Sequence, residues 1–150
     1  ADALVLLSPA FDRRPGGALG QVLRLVADAP MERPALVAGG ARDYLRAGPR
    51  RVVATLRDAA SVPLDGLVSR VGVPVLIVRG GRDPLTTGRW AGRIAAAAPA
   101  GARVAVIPRA AHGLGHDAPG AVAGAISVFL AGSVHGSRLS RGAPVAPADR

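Results

Sequence analysis

The chain has 150 residues, 49% of them apolar, and no cysteine. That length supports one domain with a substantial core, and the missing cysteine excludes a disulfide framework and any cysteine-ligated zinc. The formal charge of +9 rests on nineteen arginines with no lysine. These arginines scatter from Arg13 to Arg150 and are not interleaved with aromatics for base stacking, which argues against nucleic acid as a partner.

No apolar run approaches the roughly 18 residues of a membrane span, and no signal peptide is visible. The expectation is a cytoplasmic protein without a membrane partner. "ALVLL" (Ala3 to Leu7) is a short continuous apolar run closed by "SPA", the pattern of a strand buried on both faces. From Leu19 onward, Val22, Leu23 and Val26 recur at helical spacing, and Pro30 ends that helix. "RPALVAGGARDYLRAG" is a weaker helical stretch with two glycines inside. Pro49 suits a helix first turn, followed by Val52, Val53 and Leu56 on one face. Residues 12–70 are thus expected to be short helices joined by turns.

The pattern then changes. Val73 to Val78 is a second buried strand, followed by a helix from about Thr87 with Trp90, Ile94 and Ala98 on one face. "RVAVI" (Arg103 to Ile107) is a third strand closed by Pro108. Pro119 opens a helix carrying Val122, Ile126, Phe129 and Leu130. Strands alternating with helices over short links mean βαβ units and a parallel sheet, an α/β fold. From Ser133 the punctuation by Gly, Ser and Pro reads as a flexible tail.

Working residues of an open parallel sheet lie just past the carboxyl ends of its strands. Asp83 follows the second strand in "VRGGRDPLT", and His112 follows the third in "IPRAAHGLGHDAP". Emerging from successive parallel strands on one sheet edge, their side chains could meet. A carboxylate on one imidazole nitrogen fixes the tautomer and stabilises the imidazolium formed when the other nitrogen takes a proton. Taken singly, each has a plainer reading: Asp83 as a turn or cap residue, His112 as a loop histidine. As a pair at corresponding strand ends they point to catalysis.

These segments resemble the α/β-hydrolases. In that family the last two strand-loop units run as an apolar strand, Gly-x-x-Asp, a helix, a short strand, then a small-residue loop carrying His. "PVLIVRGGRDPLT" and "ARVAVIPRAAHGLGHDAPGAVAGAISVFL" follow that order, which makes Asp83 the acid and His112 the base. "ADALVLLSPAF" is similar to the family's sixth strand, and residues 12–70 match its lid insertion in place and character. The resemblance therefore implies a partial hydrolase core at 1–11 and 71–132, a helical lid at 12–70 and a tail at 133–150. The family's nucleophile sits on a G-x-S-x-G elbow, and no such motif occurs in the sequence. Ser8 precedes Pro9 rather than a helix, and Ser61, Ser69 and Ser127 lie in helical or linker sequence. The resemblance thus implies the carboxyl-terminal half of a hydrolase, with a Ser, Asp or Cys nucleophile upstream of Ala1.

The substrate class this implies is a small, apolar, ester-like or related molecule, since Leu36, Val37, Leu45, Val52 and Leu56 make the lid apolar; ester hydrolysis, carbon–carbon bond hydrolysis and epoxide opening all run on this framework. No cofactor and no metal are expected, and self-association into a homo-oligomer is the one further partner foreseen. Three rival readings exist. "ALVAGGARDYLRAG" lacks the glycines of a dinucleotide turn where Asp43 and Leu45 stand. "HGLGHD" offers His112, His116 and Asp117 to a metal, but its two glycines argue against a regular helix there. A hydrolase-like fold serving as a non-catalytic binding or interaction domain is the remaining alternative.

Overall fold

The computed structural model describes residues 2–9 and 17–140. Its framework is a three-stranded parallel sheet of β1 (Leu4–Leu7), β2 (Val75–Gly80) and β3 (Ala102–Ile107), in the order β1-β2-β3. Leu4 pairs with Val75 and Leu7 with Val78, while Val75 pairs with Ala102 and Gly80 with Ile107. The second strand lies two residues later than its apolar run implies, because Pro74 has no N–H to give the ladder and Arg79 and Gly80 extend the pairing.

The central strand explains its own composition. Val75 and Ile77 face a core with Val68, Trp90, Ala91 and Ile94. Leu76 and Val78, pointing the other way, pack with Ala110, Leu114, Val122 and Phe129. A strand covered on both faces reads as a continuous apolar run, not an alternation. The first layer is supplied by α4 (Leu64–Val68) and α5 (Gly88–Ala97), the second by α6 (Leu114–Asp117) and α7 (Pro119–Ser140). Thr87 caps α5 by accepting the Trp90 amide on its hydroxyl at 3.2 Å, a contact typically contributing about 1 kcal/mol.

Between β1 and β2 lie α1 (Gly17–Asp28), a 3₁₀ turn at Ala29–Met31, α2 (Pro34–Ala47) and α3 (Pro49–Ser61). No strand occurs among the described residues of this region. Gly48 adopts φ 79°, a left-handed conformation open to glycine, and Pro49 starts α3 immediately after it.

Three expectations change. The segment from Ser133 read as irregular is helical to Ser140, since Gly136 alone interrupts it, no proline does, and elongating a formed helix is easy; residues 141–150 of the expected tail lie outside the described residues. The loop after His112 contains the four-residue helix Leu114–Asp117 despite Gly115. Finally, β1 is only half-buried, with Leu7 44% exposed.

The last difference has a cause in the sheet. Among the described residues β1 pairs with β2 alone, so one edge of an apolar strand keeps unsatisfied amides and carbonyls. Such an edge is a template for pairing with another chain. Expressed by itself, the 150-residue chain should self-associate, and light scattering coupled to gel filtration should give a mass above the monomer's. A stable monomer at micromolar concentration would contradict this.

Candidate active site

Three strand ends and one helical turn converge on His112. The Gly80–Gly81 pair does more than turn the chain, for neither glycine has a positive φ. A Cβ on Gly80 would strike the carbonyl oxygens of Ala110 and Ala111, and one on Gly81 the backbone of Pro108. The β2 and β3 loops thus pack backbone on backbone, tied by Gly81 N–H to Ile107 O (2.8 Å) and Arg82 N–H to Ala110 O (3.1 Å). This close approach brings Asp83 to His112.

Asp83 is 4% exposed and its two oxygens have separate tasks. Oδ1 accepts the amides of Leu85 (2.8 Å) and Thr86 (2.9 Å), forming the turn that leads to α5. Oδ2 lies 3.0 Å from His112 Nδ1. Asp83 thus serves the turn through one oxygen and contacts His112 through the other. Burial alone would push the Asp83 carboxyl up. The hydrogen bonds from His112 and from the Thr86 and Leu85 amides, with the imidazole charge, hold it below the usual carboxylate range. Burial likewise disfavours the His112 imidazolium. The Asp83 hydrogen bond and charge, with the charges of Asp28 and Glu32, outweigh this and raise the imidazole above its ordinary value.

Sequence reasoning missed the helical side of this site. Asp28 ends α1 and is 3% exposed; its Oδ1 accepts the His112 amide at 3.3 Å. Glu32, one turn on and the sole glutamate of the chain, accepts the Gly113 amide at 2.6 Å. The four-residue spacing of two carboxylates was the available signal. Burial raises both groups, Glu32 from 4.5 to about 7. Ser8 also joins the site, as a donor: its hydroxyl gives a hydrogen bond to His112 O at 2.9 Å. Its φ of 40° is unusual for a residue other than glycine.

The Glu32 shift has a consequence for stability. A carboxyl raised on folding favours the protonated state, so its contribution is complete below about pH 4.5 and is lost as pH rises through about 7. Gln at this position keeps an acceptor for the Gly113 amide and removes the titration. Between pH 5 and 8 the melting temperature of Glu32→Gln should fall less than that of the parent. Parallel curves for the two proteins would refute the assignment.

A cavity of about 540 Å³ opens beside His112 and Gly113, walled by α1, α2 and α3. Leu36, Val37, Val52 and Leu56 line it as the sequence implied, whereas Leu45 lies elsewhere, 83% exposed. The volume is that of a small-molecule pocket. His116 sits apart from His112: its Nδ1 is 3.4 Å from Asp117 Oδ1, and Asp117 also meets Arg33 at 3.4 Å. Among the described residues no three side chains of metal-ligating type are grouped to hold a metal ion, and no helix is long and apolar enough to cross a membrane.

No protein-family model matches the sequence, and no curated protein matches it significantly. Solved structures do. The chain is 24% identical to a hydrolase from Pseudomonas aeruginosa PA01, with 86% of this chain and 55% of that chain covered and a TM-score of 0.54. For a thermophilic esterase the figures are 21%, 89%, 57% and 0.64. An enol-lactonase from Burkholderia xenovorans LB400 is 22% identical, with 87% and 56% covered and a TM-score of 0.52. The chain spans little more than half the length of each of these structures. Parallel strands, flanking helices and these likenesses together give the described residues the α/β-hydrolase fold, in part.

Proposed function

We propose that this chain carries the acid and base of a hydrolase, with Asp83 orienting His112 and His112 activating a nucleophile from a segment upstream of Ala1. The observation that carries the reading is the buried Asp83 carboxylate 3.0 Å from His112 Nδ1, at the ends of adjacent parallel strands. With Nδ1 engaged, Nε2 is the nitrogen left to take a proton from a Ser or Cys nucleophile, or from the water that resolves an ester on Asp. Asp83 then stabilises the imidazolium, and the same proton returns to the leaving group.

The cavity supports the substrate class. Its walls are mostly aliphatic and its volume is about 540 Å³, which suits a small apolar acyl or alkyl group joined through an ester-like bond. In this reading α1, α2 and α3 act as a lid over that group. An esterase and an enol-lactonase among the similar structures support ester-like chemistry.

The deciding experiment joins the chain to its upstream coding sequence and assays short p-nitrophenyl esters. Turnover that disappears in His112→Ala supports the reading. A well-folded joined protein without turnover on esters, lactones or epoxides would favour a non-catalytic binding domain instead.

A further inference from the structure

The His112 main chain is held from the helical region with unusual economy. Its own amide and the next one, Gly113 N–H, are accepted by Asp28 Oδ1 and Glu32 Oε1 at 3.3 and 2.6 Å. The two carboxylates stand four residues apart, across the turn that follows α1. On the other side His112 O takes the Ser8 hydroxyl and the Leu114 amide, both at 2.9 Å. The loop has no slack here: a Cβ on Gly113 would come within 2.6 Å of Glu32 Oε2 and of Leu36 Cδ2.

We propose that Asp28 and Glu32 are positioning residues, which seat the His112 loop by its two consecutive amides and so keep the imidazole on Asp83. The proposal rests on the reading of His112 as a base and adds its dependence on the helical region. Both carboxylates meet this loop at its backbone amides rather than at the imidazole ring, and act through the peptide groups that carry it. Backbone amides donated to carboxylates are charge-assisted and stronger than neutral pairs, which suits a loop whose displacement by about 1 Å would uncouple His112 from Asp83. The same contacts make the helical wall of the cavity and the histidine move as one unit. Leu36, in the first turn of α2, lines the cavity with both of them, so a ligand that shifts this wall would shift the base.

The charged groups around this seat are few. Asp83 faces His112 from the β2 loop, Asp28 and Glu32 face it from the helical region, and Asp117, paired with Arg33, faces Glu32. Asp28 and Glu32 therefore also add negative potential that favours the imidazolium. Two effects must be separated: the charge, which Asn and Gln remove, and the main-chain hold, which they keep.

The test reads the imidazole itself, so it does not depend on ester turnover. Carbethoxylation of His112 by diethyl pyrocarbonate is followed peptide by peptide against pH in the full chain, because only the neutral ring reacts. The parent should titrate above the ordinary histidine range, and Asp83→Asn, lacking the partner charge, sets the uncoupled limit. Asp28→Asn/Glu32→Gln should move the midpoint part of the way down. Asp28→Ala/Glu32→Ala should move it close to that limit and speed amide exchange at His112 and Gly113 at least tenfold. Identical midpoints for the Ala and Asn/Gln pairs would overturn the proposal, leaving the carboxylates as charges alone. So would a parent-like midpoint in either pair. If the Ala pair loses its helical circular dichroism, the single variants Asp28→Ala and Glu32→Ala are compared with Asp28→Asn and Glu32→Gln on the same criterion. A failure of the hydrolase reading would appear separately, as absent turnover in the joined protein with these midpoints as expected.

Discussion

Asp83→Asn, placed in a protein that carries the nucleophile, should lower turnover by about 10⁴-fold while leaving the fold in place. Asn can still offer its carbonyl oxygen to the Leu85 and Thr86 amides, which Asp83 Oδ1 accepts at 2.8 and 2.9 Å. Its amide group then faces His112 Nδ1, where Oδ2 now stands at 3.0 Å. An N–H donor there forces Nδ1 to accept, which moves the ring proton to Nε2. The nitrogen meant to take a proton would already hold one. His112→Ala should be at least as damaging, since it removes the base outright. Because the carboxylates around it raise the imidazole, the rising limb of turnover against pH should lie above the ordinary histidine value and move down in Asp83→Asn. Initial rates on a p-nitrophenyl ester, with a thermal melt for each variant, decide the matter. Near-parent turnover in a folded Asp83→Asn protein would remove Asp83 from the mechanism.

Gly80→Ala should be the most disruptive small substitution in the sheet, costing about 3 kcal/mol of stability. The added methyl would fall on the carbonyl oxygens of Ala110 and Ala111, and main chain has no rotamer with which to yield. The β2 and β3 loops would have to separate, stretching Arg82 N–H to Ala110 O, now 3.1 Å, and drawing Asp83 off His112. Gly92→Ala and Gly124→Ala are the controls. Both glycines are exposed on helices, with nothing within 4 Å of where a Cβ would stand, so alanine there should be neutral or stabilising by up to about 1 kcal/mol. Urea unfolding midpoints would show the contrast. A Gly80→Ala midpoint equal to that of Gly92→Ala would mean that the loops are not in backbone contact.

The central strand and the place of Asp83 were legible in the sequence because a parallel strand buried on both faces must be apolar at every position, as Leu76, Ile77 and Val78 are, so its end is marked wherever that run stops. The strand before His112 is different: Val104 and Val106 are 41% and 47% exposed, and it was legible from its short β-branched run and the proline that closes it. Parallel pairing then places Asp83 and His112 on one edge. The helices were legible by the same logic, because Trp90, Ile94 and Ala98 recur at helical spacing and all three are buried.

What the chain order could not express is contact between distant segments. Asp28 and Glu32 meet the His112 loop across 84 and 81 positions, and apart from their four-residue spacing nothing local distinguishes them from solvated helix-end carboxylates. Leu45 was grouped with the cavity walls because it shares their chemistry; the helix rotation left it 83% exposed. The lack of side chains at Gly80 and Gly81 serves the backbone of a loop about thirty residues later. Local pattern determines which element forms, because periodicity and backbone sterics act over a few residues. Which side chains share a site is decided only when the packed helices and loops bring remote atoms within hydrogen-bonding distance.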